Sequence, residues 1–164
     1  MNKQLEEILW NVAEETFEAL AFLLPMPEPT EPFESSPEVA VSVRFHGPFD
    51  GKVIVAVPES VLGELACNML GLDDGAEIAV DTQYDALKEL ANVVCGNILP
   101  EIAGTTTVFN VDGPELVDTS APVHGSELSS TAITRFFLDA GPASVELLTE
   151  GPIPTEVPVA AGIE

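Results

Sequence analysis

Apolar side chains recur every three or four positions in two stretches of the chain, and this period predicts helices there. The first helix spans residues 3–24, carries Glu side chains on its outer face and is stopped by Pro25. A second, shorter helix is predicted over Pro58–Leu72. The apolar face of the second helix comprises Leu62, Leu65, Ala66, Met69 and Leu70.

A third, central helix is predicted to follow an acidic loop. Asp81 or Thr82 is expected to cap its N-terminus, because either side chain can accept a hydrogen bond from a free main-chain N–H. The helix runs to about Leu99. Pro100 must then kink or end it, since proline lacks the main-chain donor, and Gly104 closes the segment.

Alternation of apolar and polar residues predicts a β-hairpin between the first two helices. Its strands are Glu38–His46 and Lys52–Val57, and Gly-Pro-Phe-Asp-Gly at 47–51 forms the turn. One face of the hairpin is apolar: Val39, Val41, Val43, Phe45, Val53, Val55 and Val57.

The last third of the chain is rich in β-forming residues. Thr105–Val111 is predicted as one strand, and residues 113–125 as a loop that contains two prolines. Thr131–Leu138 and Ser144–Thr149 are predicted as a second hairpin around a turn at 139–142.

Two proline-rich segments accompany these elements. Residues 25–37 hold five prolines and are predicted to form an extended connector, and the tail at 151–164 holds three and is predicted to be a peripheral arm. The connector is too short to separate two domains, so one domain is expected over 1–164. The order α-β-β-α-α-β-β-β predicts an α+β fold, an antiparallel sheet with helices packed on it.

The charge balance narrows the classes of partner. The chain has 28 acidic and 5 basic residues and a net charge of −23. This argues against binding to nucleic acid or to an anionic membrane surface, because both require clustered Lys and Arg. No apolar run reaches the length of a membrane span, and the N-terminus carries acids where a signal peptide carries bases. The expected location is therefore cytoplasmic.

Residues that commonly bind metals or phosphate are sparse. Cys67 and Cys95 lie in helical patterns and are expected to be buried, reduced thiols. His46 and His124 are far apart, and no CxxC or HExxH motif is present, so no metal or cofactor of the chain's own is predicted. The absence of a Walker-type or GxGxxG loop argues against unaided phosphate binding.

The central helix carries a polar stripe. At 3.6 residues per turn its members fall within an arc of roughly 60°: Asp85, Glu89, Asn92 and Gly96. Apolar residues point the other way: Leu87, Leu90, Ala91, Val94 and Ile98. Asn and Gly are poor helix formers, so their position in line with two acids needs a reason.

The residues alone leave four explanations open. The stripe can be a solvated face whose glycine permits close packing. Asp85 and Glu89 can contribute to a metal site, although two ligands are insufficient by themselves. The same acids can hydrolyse a glycoside, although nothing else marks a sugar cleft. Finally, the stripe can be a docking face where Glu89 meets a cation on a partner and Asn92 positions a water molecule.

The second helix repeats the spacing of this stripe. Ser60, Glu64, Cys67 and Gly71 are separated by the same intervals, and Glu-Leu-Ala occurs in both helices. Because the Asn is missing, no second site is predicted there.

The pattern Asp-x3-Glu-x2-Asn-x3-Gly at 85–96, followed by Asn97, resembles the signature of the CheC/CheX/FliY family of chemotaxis phosphatases. Residues 13–23 resemble the family's first helix, and residues 41–71 resemble its hairpin and following helix. The resemblance covers most of residues 5–110, and the single copy of the motif is most like CheX.

The resemblance implies a role for each matching residue. Glu89 would form an ion pair with the active-site Lys of a CheY-type response regulator. Asn92 would enter the regulator's phosphorylation pocket and orient the attacking water. Asp85 would support them, Gly96 would keep the helix surface low for the regulator, and Asn97 would hold the local structure.

The resemblance also implies an activity, a cofactor and an assembly. The chain would accelerate hydrolysis of the regulator's aspartyl phosphate, with Mg²⁺ supplied by the regulator, and it would form a homodimer. The alternative is a non-catalytic module that binds the regulator in the same pathway.

Overall fold

The structure is a computed structural model that describes most of the chain: residues 3–32, 37–73, 75–117, 129–151 and 153. Its elements are, in order, α1 (Lys3–Ala21), β1 (Glu38–His46), β2 (Gly51–Pro58), a 3₁₀ turn (Glu59–Val61), α2 (Leu62–Leu70), α3 (Val80–Ala103), β3 (Asn110–Val111), β4 (Glu115–Leu116), β5 (Ser129–Leu138) and β6 (Gly141–Thr149). The predicted α+β fold, with helices on an antiparallel sheet, is confirmed.

The strands form one antiparallel sheet with β1, β2 and β6 at its centre. β1 pairs with β2, β2 with β6, and β6 with β5. The short strands β3 and β4 both add to the free side of β1. The β1–β2 register sets Val41 opposite Val55 and Val43 opposite Val53, so the apolar face predicted for this hairpin is continuous.

The core lies between one face of the sheet and the three helices. The largest fully buried side chains come from both layers: Phe17, Phe45, Phe136, Leu9, Leu62, Leu65, Leu87, Leu90, Ile98, Ile102, Leu138 and Leu147. Phe17 on α1 meets Phe136 on β5 edge-to-face, with ring centroids 5.3 Å apart. Each such side chain contributes about 1.5–3 kcal/mol of burial free energy. Because four of them lie on one side of α3, turning the helix about its axis would expose them, so the core fixes its orientation.

The first helix ends at Ala21, before the predicted end at residue 24. Phe22 adopts the left-handed conformation with φ of 53°. Its N–H donates to the Glu18 carbonyl at 3.1 Å, and the N–H of Leu23 donates to the Phe17 carbonyl at 3.2 Å. These bonds close the helix before Pro25 is reached, so proline is not what ends it.

The start of α3 differs from its prediction. The helix begins at Val80, with Ala79 at the N-cap position and no side-chain capping bond. The predicted cap by Asp81 or Thr82 is therefore wrong. The N–H of Gln83 donates to the Ala79 carbonyl at 3.0 Å, which places both candidate caps inside the first turn.

The end of α3 also differs, because the helix continues past Leu99 to Ala103 with Pro100 inside it. Ile102 and Ala103 are buried, so core packing holds the last turn against the missing proline donor. Gly104 closes the helix as predicted, and its N–H donates to the Pro100 carbonyl at 2.8 Å.

The C-terminal third is β-rich, with one change. Of the strand predicted over 105–111, only β3 forms, because Thr107 Oγ1 donates to the Ala103 carbonyl at 2.6 Å and holds the chain against the helix end. β4 lies inside the loop predicted over 113–125, whose part at 118–125 lies outside the described residues. The second hairpin is confirmed as β5 and β6, with Asp139 and Ala140 as its turn.

The proline-rich connector contains neither helix nor strand in its described part, residues 25–32 and 37. A single bridge joins Met26 to Phe137 on β5. The predicted arm beyond residue 153 lies outside the described residues, and one domain over 1–164 stays a prediction.

Candidate functional site

The polar stripe of α3 lies on an open surface. Its four members are all exposed: Asp85, Glu89, Asn92 and Gly96. The residues predicted for the opposite face are completely buried: Leu87, Leu90, Ala91, Val94 and Ile98. The two faces that the spacing predicts are therefore present, and the stripe points away from the core.

The two central side chains of the stripe are available to a partner. Glu89 and Asn92 are three residues apart, which places them side by side on a helix. In the part of the chain that the structure describes, neither side chain has a hydrogen bond or an ion pair. The carboxylate can therefore meet a cation, and the carboxamide can both donate and accept hydrogen bonds.

The glycine of the stripe has no packing role within the described chain. A Cβ built on Gly96 would meet nothing within 4 Å. By contrast, a Cβ on Gly51 would clash with the Leu148 carbonyl and the Phe45 ring. Close packing against the described residues, one of the explanations left open by the sequence, therefore does not account for Gly96. Its effect is to leave the helix backbone uncovered.

The residue after the glycine joins two helices. Asn97 Nδ2 donates to Thr16 Oγ1 of α1 at 3.4 Å. Thr16 is 3% exposed, so this contact lies where the two helices pack. The resemblance implies that Asn97 holds the local structure, and such a role requires a contact of this kind.

Lys88 flanks the stripe, and the sequence analysis did not single it out. It is the one basic residue in the sequence of α3, and it lies three residues after Asp85 and four before Asn92. Its side chain is half-buried and has no ion pair among the described residues. The sequence does mark this residue, because Lys88 is the single cation on a helix whose other charges are all acidic.

The repeated spacing in α2 does not build a second stripe. Ser60 lies in the 3₁₀ turn, Cys67 is 3% exposed, and Gly71 follows the helix with φ of 70°. Of the four positions of the repeated spacing, only Glu64 is an exposed side chain on α2 itself. Leu70, predicted on the apolar face, is instead 52% exposed.

The two cysteines are free and buried, as predicted. Cys95 lies on the inner side of α3, and burial raises the pKa of its thiol from 9.0 to about 12. The thiol is therefore protonated at neutral pH and is not a nucleophile.

The metal and glycosidase explanations gain no support from the described residues. No group of three or more His, Cys, Asp or Glu among them is arranged to hold a metal ion. Asp85 and Glu89 lie on an exposed helix surface and not in a sugar cleft. His46 Nε2 lies 3.1 Å from Asp112 Oδ2, an exposed contact between β1 and the segment after β3. His124 lies outside the described residues.

None of the described helices has the length and apolar character that a membrane span needs.

The comparisons of the sequence and of the structure with known proteins point to the same family. The sequence model of Chemotaxis phosphatase CheX matches residues 39–134, more than half of the chain. A search of curated proteins finds no match.

Solved structures of the same kind share the fold. The chain is similar to chemotaxis protein CheX from Desulfovibrio desulfuricans, with a TM-score of 0.69 and 17% identity over 89% of this chain and 99% of that one. It is similar to CheX from Vibrio vulnificus, with a TM-score of 0.67 and 21% identity over 92% and 100% of the two chains. It is also similar to the CheX–CheY–BeF3–Mg²⁺ complex from Borrelia burgdorferi, with a TM-score of 0.65 and 14% identity over 88% and 97%.

Proposed function

This chain belongs to the CheX family of chemotaxis phosphatases, and on that premise we propose that it accelerates hydrolysis of the aspartyl phosphate of a CheY-type response regulator. The observation that carries the proposal is the joint exposure of Glu89 and Asn92 on one face of α3, with neither side chain engaged within the described chain. Both side chains are therefore accessible to a second protein.

Asn92 orients the attacking water in the proposed reaction. Hydrolysis of an acyl phosphate passes through a loose transition state, so holding a water in line matters more than a strong base. A carboxamide suits this task, since its oxygen accepts a hydrogen bond from the water and its nitrogen can donate to a phosphoryl oxygen. The rigid backbone of α3 keeps this group in place.

Glu89 anchors the regulator through an ion pair with the regulator's active-site Lys. The carboxylate lies beside Asn92 on the helix, so the same contact sets the depth at which the carboxamide enters the phosphorylation pocket. Asp85 extends the acidic side of this surface by one turn, and Gly96 leaves room for the regulator's backbone.

The chain supplies half of the catalytic centre. Mg²⁺ and the catalytic cation would come from the regulator, in agreement with a chain that has only 5 basic residues. The Borrelia burgdorferi relative is in a complex with CheY, BeF3 and Mg²⁺, which supports this division of groups.

The experiment is to follow phosphate loss from a phosphorylated CheY-type regulator with and without the chain. We expect a saturable acceleration, and the Glu64→Ala variant on α2 serves as a matched control that keeps full activity. Binding with an unchanged phosphate lifetime would favour the non-catalytic module instead.

Two further expectations from the sequence stay predictions. Homodimer formation is measured by sedimentation velocity, and a cytoplasmic location by fractionation of the cells that contain the protein.

A further inference from the structure

One main-chain acceptor in the stripe of α3 lacks its helical partner. In an α-helix, the carbonyl of each residue accepts a hydrogen bond from the N–H four residues later. The residue four after Gly96 is Pro100, which has no N–H. Yet α3 continues through Pro100 to Ala103. The Gly96 carbonyl oxygen therefore has no i+4 donor.

This carbonyl lies on the face where the regulator is proposed to dock. Gly96 is exposed, follows Asn92 by one turn, and has no neighbour within 4 Å of the place where a Cβ would stand. Pro100 lies about 40° further round the helix. A proline ring inside a helix crowds the carbonyl of the residue four positions earlier, which bends the helix locally and turns that carbonyl outward. On the Cβ side of Gly96, the described chain therefore leaves the main chain of this turn open to an incoming surface.

We propose that the Gly96 carbonyl oxygen is a contact of this docking face and accepts a hydrogen bond from an N–H or O–H group of the regulator. The inference rests on the proposed function, because it requires the regulator to sit on the stripe. In the free chain we expect water to donate to this oxygen, because the helix supplies no i+4 amide. A regulator that covers it must bring a donor, since an unpaired buried acceptor lowers affinity by roughly five- to a hundredfold. Gly96 and Pro100 together thus favour a regulator that presents a donor at this position.

Carbonyl NMR tests the contact directly. Gly96–Asn97 is the only Gly-Asn peptide of the chain, so ¹³C-carbonyl Gly with ¹⁵N-Asn gives a single assigned signal. Gly63–Glu64 is the only Gly-Glu peptide, and it is the matched control. Gly63 is also helical with open space at its Cβ, but its i+4 residue, Cys67, has an N–H.

Saturation with the regulator in its BeF3–Mg²⁺ form should shift the Gly96 carbonyl downfield and leave the Gly63 carbonyl in place. Pro100→Ala should produce a downfield shift in the free chain, because the new amide at position 100 bonds to Gly96. That variant should also bind the regulator roughly three- to tenfold more weakly, because the helical bond from residue 100 competes for the acceptor and turns the carbonyl back along the helix.

Two results would overturn the inference. One is a Gly96 signal in the free wild-type chain that already lies where Pro100→Ala places it, and the other is a signal that does not move in the saturated complex. Phosphate release is measured on the same samples. Accelerated release with an unmoved carbonyl rejects this contact alone, whereas a moved carbonyl without acceleration supports the contact and rejects the phosphatase activity.

Discussion

Helices α2 and α3 contain the same spacing of residues and arrive at different surfaces. In α3 the pattern falls within one long helix, so all four positions share an exposed face. In α2 the helix spans only Leu62–Leu70, so the first position lies in a 3₁₀ turn and the last lies after the helix end. The two helices also differ at the third position of the spacing, since Asn92 on α3 is exposed and Cys67 on α2 is buried.

A spacing is therefore a candidate site only if one continuous helix carries it and turns it outward. The two glycines make the same point. Gly71 is explained by its positive φ, which favours glycine at a helix end. Gly96 lies inside a helix, has no positive φ, and a Cβ there would meet no described atom within 4 Å, so no local backbone requirement accounts for it.

The largest expected effect is that of Asn92→Ala. At saturating concentration, the rate of phosphate release should fall by about 100-fold, because the water is no longer positioned. The matched change in α2, Cys67→Ala, should lower the free energy of unfolding by about 1 kcal/mol and leave the rate unchanged. Single-turnover assays and urea unfolding measure the two quantities. A wild-type saturating rate for Asn92→Ala would remove this residue from the mechanism.

The next effect is on affinity. Glu89→Ala should weaken regulator binding by about 10- to 100-fold, since a charge-assisted contact is lost. Glu64→Ala, at the same position of the repeated spacing, should change affinity by less than about twofold. Titration calorimetry measures both. Equal losses for the two variants would mean that the acids act only through overall charge and not through a specific ion pair.

The third effect is a pH dependence of the free energy of unfolding that comes from the buried thiol of α3. Burial raises the pKa of Cys95 from 9.0 to about 12 in the folded chain. Above pH 9 the unfolded thiol loses its proton and the folded one keeps it, so stability falls as pH rises toward 12. The slope is about 1.4 kcal/mol per pH unit. Urea unfolding of wild type and Cys95→Ala at pH 8–11 should reveal this slope in wild type alone, and parallel curves would contradict it.

The smallest effects have opposite signs at the two glycines. Gly96→Ala should raise the free energy of unfolding by about 0.5–1 kcal/mol, because the helix gains a better former, while regulator binding weakens. Gly71→Ala should lower it by about 1–2 kcal/mol, because alanine is strained at positive φ, with binding unchanged. Denaturant unfolding with calorimetry measures both. A destabilising Gly96→Ala would mean that the glycine serves the fold.

Local patterns predicted most of the architecture and both faces of the site helix. The alternation of Val41 and Val43 with polar neighbours was sufficient for the first hairpin, because side-chain direction in a strand has a period of two. The extension of α3 past Pro100 was not predictable, because it depends on the burial of Ile102 in the core. Only the end of the strand predicted at 105–111 forms, and this likewise depends on the hydrogen bond from Thr107 back to the helix.

The same distinction applies to the candidate site. Helical spacing was sufficient to group Glu89 with Asn92 on one face. The sequence could not determine whether Gly96 packs against another element, since that depends on the position of every neighbour. Nor did it reveal the contact from Asn97 to Thr16, which lies 81 residues earlier in the chain.

The most direct measurement of where the regulator docks uses its own metal as a probe. With paramagnetic Mn²⁺ replacing Mg²⁺ in the regulator's BeF3 complex, nearby NMR signals of this chain broaden. We predict that the side-chain amide of Asn92 disappears from the spectrum. The side-chain amide of Asn68 on α2, which donates to the Ala21 carbonyl at 2.6 Å, should stay sharp. A sharp Asn92 signal in the saturated complex would contradict the placement of α3 at the phosphorylation pocket.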